Sequence, residues 1–520
     1  MTRFLSRREA LARGAGLMAA LAAGAAGREA CCAAPPASPP LPFEMPIPSA
    51  PVFAQRVFDI RKFGAQAGGQ AVNTQAIAAA IAACAQAHGG RVLVPEGVWL
   101  TGPIHLKSNV ELHLAEGAEL RFSQRFEDYL PPVFTQRGGV RCYNYSPLVY
   151  AHRCSNIAVT GRGTLNGQGE VWWPWKKRQP GMTRLFEAGA KGLPVDQRVF
   201  GTEADGVRPP FVQPIECQNV LLEGFTITNG PSWNIHPVCC ENLIVRGVSV
   251  RTHGPNNDGI DPDCCRNVLI EDCLLDTGDD CICLKAGRDE DGWAVGQPCE
   301  NVLIRRCHTK RGHGGVVLGS EMSAGIRNVF VHDCRFEGTD RGIRIKSLPG
   351  RGGFVENVWF QDIAMDRIVG AAIHMTFRYS QPDSQTRNQP RFRNFQIRNV
   401  TCAKAKQAVE ILGLAENYIE DVCLENVRIT AARGLSAEYV RGLRLNRVDL
   451  QAASGPLLRL LDGQQIDVSD CPCAPGTEVF VRLEGPQTRD VRLRGAALAH
   501  ARQAVELAKG ATPDAVRRDP

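Results

Sequence analysis

Residues 242–251, NLIVRGVSVR, and residues 267–276, NVLIEDCLLD, carry one pattern twice. Each begins with a turn-forming asparagine and alternates through a strand of about five residues. Each then bends at a small or polar corner and enters a second short strand. Copies extend in both directions. NIAVTGRGTL from Asn156 and NVLLEGFTIT from Asn219 come before, and NVLIRRCHTK from Asn301 and NVFVHDCRFE from Asn328 come after. NVWFQDIAMD from Asn357 and NFQIRNVTCA from Asn394 continue the series, with less regular copies from Asp421 and Gly442. Successive starts from Asn219 to Asn394 are 23, 25, 34, 27, 29 and 37 residues apart. A unit this small cannot bury its apolar face alone, so neighbouring copies must stack. Strands at this period, with almost no helical pattern between them, predict an all-β parallel β-helix. A propeller would need blades of roughly 40 to 50 residues.

The flanks define the predicted organisation. NTQAIAAAIAACAQAHGG gives the clearest helix: Asn73 as N-cap, Ile77, Ile81 and Cys84 on one face, Gly89 as the stop. A solenoid exposes its first coil, so this short helix is expected to cap it. Residues 1–28 have a basic start with Ser6-Arg7-Arg8 and an apolar Ala/Leu/Gly run, the form of a twin-arginine export signal. Residues 29–54 read as a Pro-rich extended linker, and REACC is a poor lipid-attachment site. The cap and first coils are expected over 55–125, the catalytic β-helix over 126–490, and a weak helix with a polar tail over 491–520. One domain from about residue 55 to 490 fits this pattern better than two or three.

Composition excludes more than it selects. A net charge of +6, without a concentrated basic run, gives no nucleic-acid signature but permits an anionic partner. No segment is long and apolar enough to suggest a membrane span. Twenty cysteines are scattered without metal-type pairs, and Cys273, Cys307 and Cys334 recur at one point of the repeat. They read as small apolar residues stacked in a core, with a few bridges at most.

Chemistry is expected where polar residues gather at matching points of successive coils. GPNNDGIDPDCC supplies Asp258, Asp261 and Asp263; DTGDDCICLKAG supplies Asp276, Asp279 and Asp280. Asp258 and Asp279 are 21 residues apart, close to one coil, so they are expected one above the other at strand spacing. Like charges that close raise one another's proton affinity, which suits an acid. For Asp279 and Asp280 to share a face, the strand must break at Gly278-Asp279-Asp280 and resume at Cys281-Ile282-Cys283-Leu284. Such Asn/Asp/Gly runs are also ordinary turn formers. His313 sits between glycines, and alone would be incidental. Arg344 and Lys346 lie two apart on a strand, hence on one face, and a carboxylate-bearing ligand would relieve their repulsion. The acids lack any calcium-loop pattern, and no zinc spacing, phosphate loop or nucleophile elbow is found.

These clusters, in this order, resemble the polygalacturonases, the pectin-hydrolysing family 28 of the glycoside hydrolases. The family's Asn-Thr-Asp, Gly/Gln-Asp-Asp, Gly-His-Gly and Arg-Ile-Lys read here as Asn256-Asn257-Asp258, Gly278-Asp279-Asp280, Gly312-His313-Gly314 and Arg344-Ile345-Lys346. The resemblance implies a right-handed β-helix, with no cofactor and no metal, that hydrolyses α-1,4-galacturonic linkages with inversion. Inversion needs carboxyl groups roughly 6.5 to 9.5 Å apart. Asp279 would then be the general acid, and Asp258 and Asp280 would hold and deprotonate the water. His313 would tune the acid or orient the sugar. Arg344 and Lys346, with Asn256 alongside, would bind the substrate. The expected partner is an anionic pectic polysaccharide or oligogalacturonide, met by a monomer in the periplasm or outside the cell.

Asn257 departs from the family's threonine, and its sugar-contacting aromatic is either Phe377 or Tyr379. The His and Arg-Ile-Lys motifs argue against the rhamnogalacturonan hydrolase branch. The long segment 285–302 leans toward exo action, by closing one end of the cleft. The rival readings are a calcium-dependent pectate lyase and a non-catalytic, polysaccharide-binding β-helix.

Overall fold

Each repeat asparagine sits at φ between 54° and 58°, in the left-handed region that asparagine tolerates better than most residues. The conformation turns the chain at the same point of every coil. It also aims each side chain at the next coil. Asn156 Nδ2 donates to Asn109 Oδ1 at 3.0 Å, Asn219 to Asn156 at 2.9 Å, and Asn242 to Asn219 at 3.0 Å. The ladder continues through Asn267, Asn301, Asn328, Asn357 and Asn394 at 2.9 to 3.3 Å. A sequence signal for a turn is therefore also a hydrogen-bonded spine.

The structure is a computed structural model, and it describes residues 39–380, 388–495 and 498–519. The strands after the asparagines pair in parallel, coil upon coil: Val220 lies against Leu243, Leu243 against Val268, Val268 against Val302 and Val302 against Val329. All of these side chains are buried in one continuous core. The architecture is the predicted parallel β-helix. Helix α1, Thr74–Gln86, buries Ile77, Ala80, Ile81 and Cys84 in the same core. Asn73 does not cap it through its side chain. Its amide bonds to Gln66 and to the Ala71 and Leu100 carbonyls instead, tying the helix to a neighbouring loop.

The predicted cysteine stacking is present. Cys154, Cys217, Cys240, Cys265 and Cys299 precede successive paired rungs, as do Cys273, Cys307 and Cys334. All 18 cysteines among the described residues are free thiols.

Two expectations change. The proposed C-terminal helix is a short turn, Leu498–His500, followed by strands Gln503–Ala508 and Val516–Asp519 that pair with earlier strands. The last coil's open edge offers a full row of backbone partners, and that outweighs the helix propensity of an alanine-rich segment. The described part of the Pro-rich linker is no free tether either. Phe43, Met45 and Phe53 pack on an outer column formed by Ala158, Leu221, Ile244, Leu269, Leu303 and Phe330. The export signal lies outside the described residues.

A feature outside those expectations is the excursion between Asn156 and Asn219, with the hairpin that precedes it. Strands Val133–Arg137 and Val140–Asn144 form an antiparallel hairpin. It packs with helix α2, Pro180–Ala190, around Val140, Cys142, Leu185, Phe200 and Val207. Helix α3, Asp289–Val295, lies in the long segment 285–302 and is pinned there by Asp291, which accepts from Arg198 Nη1 at 2.7 Å and from the Arg141 amide at 2.8 Å. The hairpin crosses the outward side of the early coils. Gln136 Nε2 donates to Asp263 Oδ2 at 2.6 Å, Gln213 Nε2 donates to the Gln136 carbonyl at 2.9 Å, and Thr135 bonds Gln213. Gln213, His236 and Asp263 are fully buried beneath it.

Candidate active site

The strand Leu274–Thr277 stops before Gly278, and pairing resumes with Ile282–Leu284. The break has a cause. A Cβ at Gly278 would come within 2.5 Å of the Gly254 carbonyl oxygen, so glycine lets two coils touch there. Thr277 Oγ1 then donates to the Asp279 carbonyl at 2.8 Å, and the Asp280 amide donates to Asp279 Oδ1 at 2.9 Å. This turn brings both carboxylates to one side, where oxygens of Asp279 and Asp280 and a ring nitrogen of His313 lie within 4.8 Å of one another. Beyond the turn Ile282 and Leu284 return to the core.

The register differs by one residue from the sequence spacing. Ile260 pairs with Ile282, and the Gly259 amide donates to the Asp280 carbonyl, so Asp258 is level with Asp280 rather than Asp279. Asp279 is tied to Asn256 instead: Asn256 Nδ2 donates to its Oδ2 at 3.3 Å, and Arg208 Nη2 donates to Asn256 Oδ1 at 2.8 Å. Asn257, in place of the family's threonine, is fully buried. It accepts from the Gly254 amide and donates to the Gly230 and Ser232 carbonyls, holding the loop shape.

Arg344 and Lys346 do share a face, and the anion between them is internal. Lys346 Nζ lies 2.6 Å from Asp280 Oδ2, and Arg344 Nη1 3.4 Å from Oδ1. The two candidate aromatics differ in burial. Phe377 is wholly in the core against Phe392, whereas Tyr379 is exposed, with Lys346 Nζ 4.8 Å and the Arg344 guanidinium 5.7 Å from its ring centroid.

The acids fall into two electrostatic states. Burial and the neighbouring Asp279 and Asp261 push Asp258 well above the usual carboxylate range. Burial does the same to Asp261 against the pull of Lys285. Burial opposes ionisation of Asp279 most strongly, but the His313 hydrogen bond and charge, together with Lys346 and Lys285, outweigh it and hold that carboxyl at about 2. The contact is 2.9 Å, and it raises His313 above its ordinary value. For Asp280, burial is overcome by Lys346, Arg344 and Lys285 together, and the group is lowered. Proton affinity is thus raised at Asp258, Asp261 and His313 and lowered at Asp279 and Asp280.

Several residues here were not singled out from sequence. Lys285 Nζ stands 3.5 Å from Glu321, 3.6 Å from Asp261 and 3.8 Å from Asp258, and 4.3 Å over the Trp233 ring. Arg137, from the hairpin, covers the same ring at 4.8 Å. Lys285 follows Leu284 in the quoted repeat, and its outward position at period two was the available signal. Arg137, Arg208 and Trp233 carried none, because they reach the site by folding back over distance.

With this geometry in hand, the relatives are informative. Residues 199–443 match Glycosyl hydrolases family 28. A probable polygalacturonase of Vitis vinifera is 30% identical over 384 residues, 71% of this chain and 73% of the relative. An exo-poly-alpha-D-galacturonosidase of Dickeya chrysanthemi is 29% identical over 69% of this chain and 64% of its own length. The crystal structure of a hyperthermoactive exopolygalacturonase from Thermotoga maritima superposes with a TM-score of 0.75 at 38% identity, covering 78% of this chain and 94% of that one. The chain belongs to glycosyl hydrolase family 28.

Proposed function

We propose that this chain is an exo-acting polygalacturonase that hydrolyses α-1,4-galacturonosidic bonds with inversion. One observation carries the reading. Three carboxylates, a histidine and a basic pair share one face, and the hairpin 133–144 blocks that face on the side of the early coils. A polymer can thread an open groove but can only present its end to a blocked one. Relatives named as exopolygalacturonases support the same reading.

Asp279 delivers the proton to the glycosidic oxygen, drawing on the proton that His313 holds in the free site. When sugar displaces water and brings its own negative charge, the neutral form of the Asp279–His313 pair becomes the cheaper one. Ionised Asp280 takes the proton of the attacking water, and Asp258 helps to hold that water. Arg344 and Lys346, with Tyr379 beside them, take a galacturonate carboxylate, and Asn256 positions Asp279. The site needs no metal or cofactor. Right-handed winding follows from the chirality of parallel strand connections. Helix α1 acts as the lid of the first coil, and the chain acts as an exported monomer, through the twin-arginine-type signal, in the periplasm or outside. No helix among the described residues is long and apolar enough to cross a membrane.

Product analysis on polygalacturonate tests this. The expected result is one short product from the first minutes, released as the β-anomer by proton NMR, unaffected by a calcium chelator. Mixed oligomers from the start would overturn exo action, and an initial α-anomer would overturn inversion. Unsaturated product absorbing in the ultraviolet means a lyase. Binding without cleavage means a non-catalytic β-helix.

A further inference from the structure

The blocked end of the groove carries a positive charge that the chemistry above does not use. Arg137 is the last residue of the hairpin's first strand. It is only 5% exposed, yet its Nε and Nη1 meet no hydrogen-bond acceptor. Donors unmet at this depth are uncommon in folded proteins. Four other cations are engaged: Lys346 and Arg344 on Asp280, Lys285 among Asp261, Asp258 and Glu321, Arg208 on the Pro231 and Pro255 carbonyls and on Asn256. Lys176, also near Asp258 and Asp279, is unpaired among the described residues but exposed, so water solvates it, unlike Arg137. Asp258 and Asp261 face Arg137 and influence its charge. Among the described residues, however, no carboxylate forms an ion pair with it, while Asp258 Oδ1 and both Asp261 oxygens also lack donors. The guanidinium is held over Trp233 with its fork unfilled.

Its position along the solenoid gives the ligand. Trp233, beneath Arg137, belongs to the coil before Asp258, and Arg344–Lys346 to a coil after His313. The acids therefore lie between two cationic sites. The two galacturonate units that flank a scissile bond carry one carboxylate each. The basic pair takes one. We infer that Arg137 binds the carboxylate of the other, the terminal unit of the chain, and so selects ends that are free acids rather than methyl esters. A planar carboxylate matches the guanidinium fork, and a methyl ester loses both the charge and one acceptor geometry. This rests on the polygalacturonate reading.

The test uses trigalacturonate and its two single methyl esters, one at each terminal unit, with wild type, Arg137→Gln and Arg137→Lys. Wild type should cleave one of these esters on the order of 10- to 100-fold less efficiently in kcat/KM than the free acid, the scale of a charge-assisted hydrogen bond. Arg137→Gln should abolish that discrimination and lose the same factor on the free acid, mostly in KM, with both limbs of the pH profile in place. Arg137→Lys, which keeps the charge, should retain part of it and guards against a folding defect. If Arg137→Gln discriminates the esters as wild type does, or moves a pH limb with KM unchanged, Arg137 is only a counter-charge to Asp258 and Asp261 and the inference is wrong. If wild type cleaves no oligogalacturonate, the activity reading fails separately. Calorimetric binding of free galacturonate to wild type and Arg137→Gln then still decides the role of Arg137: equal binding overturns it, weakened binding supports it.

Discussion

Replacing Lys346 with methionine keeps the aliphatic stem and removes one charge, which isolates what that charge does for Asp280. Both groups are almost wholly buried and 2.6 Å apart. At an effective dielectric near 20 their attraction has a ceiling of about 6 kcal/mol. Breaking buried pairs costs roughly 3–5 kcal/mol in practice. Arg344 remains 3.4 Å away as a second partner, so the low end, ~3 kcal/mol, is the better figure. That corresponds to about two decades of proton affinity. In the wild type, burial pushes Asp280 up, and Lys346, the strongest of its cationic neighbours, together with Arg344 and Lys285 more than compensates, so the carboxyl is lowered. A lowered carboxyl contributes stability above its unfolded value of about 3.9, and loses it as pH falls through the native value. With Lys346 gone, burial weighs more and the ionised form needs a higher pH. The acidic limb of kcat on polygalacturonate should move up by about two pH units, so the loss approaches about 100-fold only below the wild-type limb, is at most several-fold near pH 5 and is gone near pH 8. KM should rise at every pH, because a partner of the sugar carboxylate is lost. The assay is reducing-end release across pH at saturating substrate. An acidic limb that stays in place, with an equal loss at both ends of the range, would show that Asp280 need not be ionised and would refute the base assignment.

Three further outcomes follow from the same structure. His313 is raised by its hydrogen bond to Asp279, so its cationic form is complete below about 6.5 and is lost as pH rises through the higher native value; His313→Gln should erase the basic limb of kcat and cost roughly 10²–10⁴ in rate, and a surviving limb would place that proton elsewhere. Asn267 donates to Asn242 and accepts from Asn301, both at 3.1 Å, at φ 57°. Asn267→Gly should lose about 1–3 kcal/mol in denaturant unfolding and Asn267→Ala a further ~1–2 kcal/mol, while equal losses would remove the backbone part of the argument. Phe43 stacks on Trp359 with ring centroids 5.2 Å apart. Phe43→Ala should cost about 1–2 kcal/mol and raise binding of a hydrophobic dye without changing kcat, and unchanged dye binding would mean that the segment covers nothing.

The legibility of this chain in its sequence follows the range of the interactions. The coils were readable because side-chain alternation and the recurring asparagine are local, and both survive single-sequence inspection. The grouping of Asp279, Asp280, His313, Arg344 and Lys346 was readable because each motif occupies the same point of its coil. The off-by-one level of Asp258 was not, since register depends on where Ile260 meets Ile282, and loop length can absorb a residue. Gln503–Ala508 was misread because alanines suggest helix until a strand edge is in place to be extended. Arg137, Trp233 and Arg208 were invisible for the opposite reason to the coils: nothing within twenty or so residues of any of them indicates which carboxylate it will face.

The asparagine spine has a consequence for how such a chain can change. Rung follows rung whether 23 residues intervene, as from Asn219 to Asn242, or 63, as from Asn156 to Asn219. Each amide meets its predecessor at nearly the same distance in both cases. The spine therefore works as a datum line, to which the chain returns after any detour, and the acids are measured from that line rather than from the detour. Within that detour, a part that touches no rung, such as helix α2, can be lengthened, shortened or exchanged without moving Asp279 relative to His313. The reacting groups and the wall that decides which end of a polymer reaches them are thus separately adjustable parts of one chain.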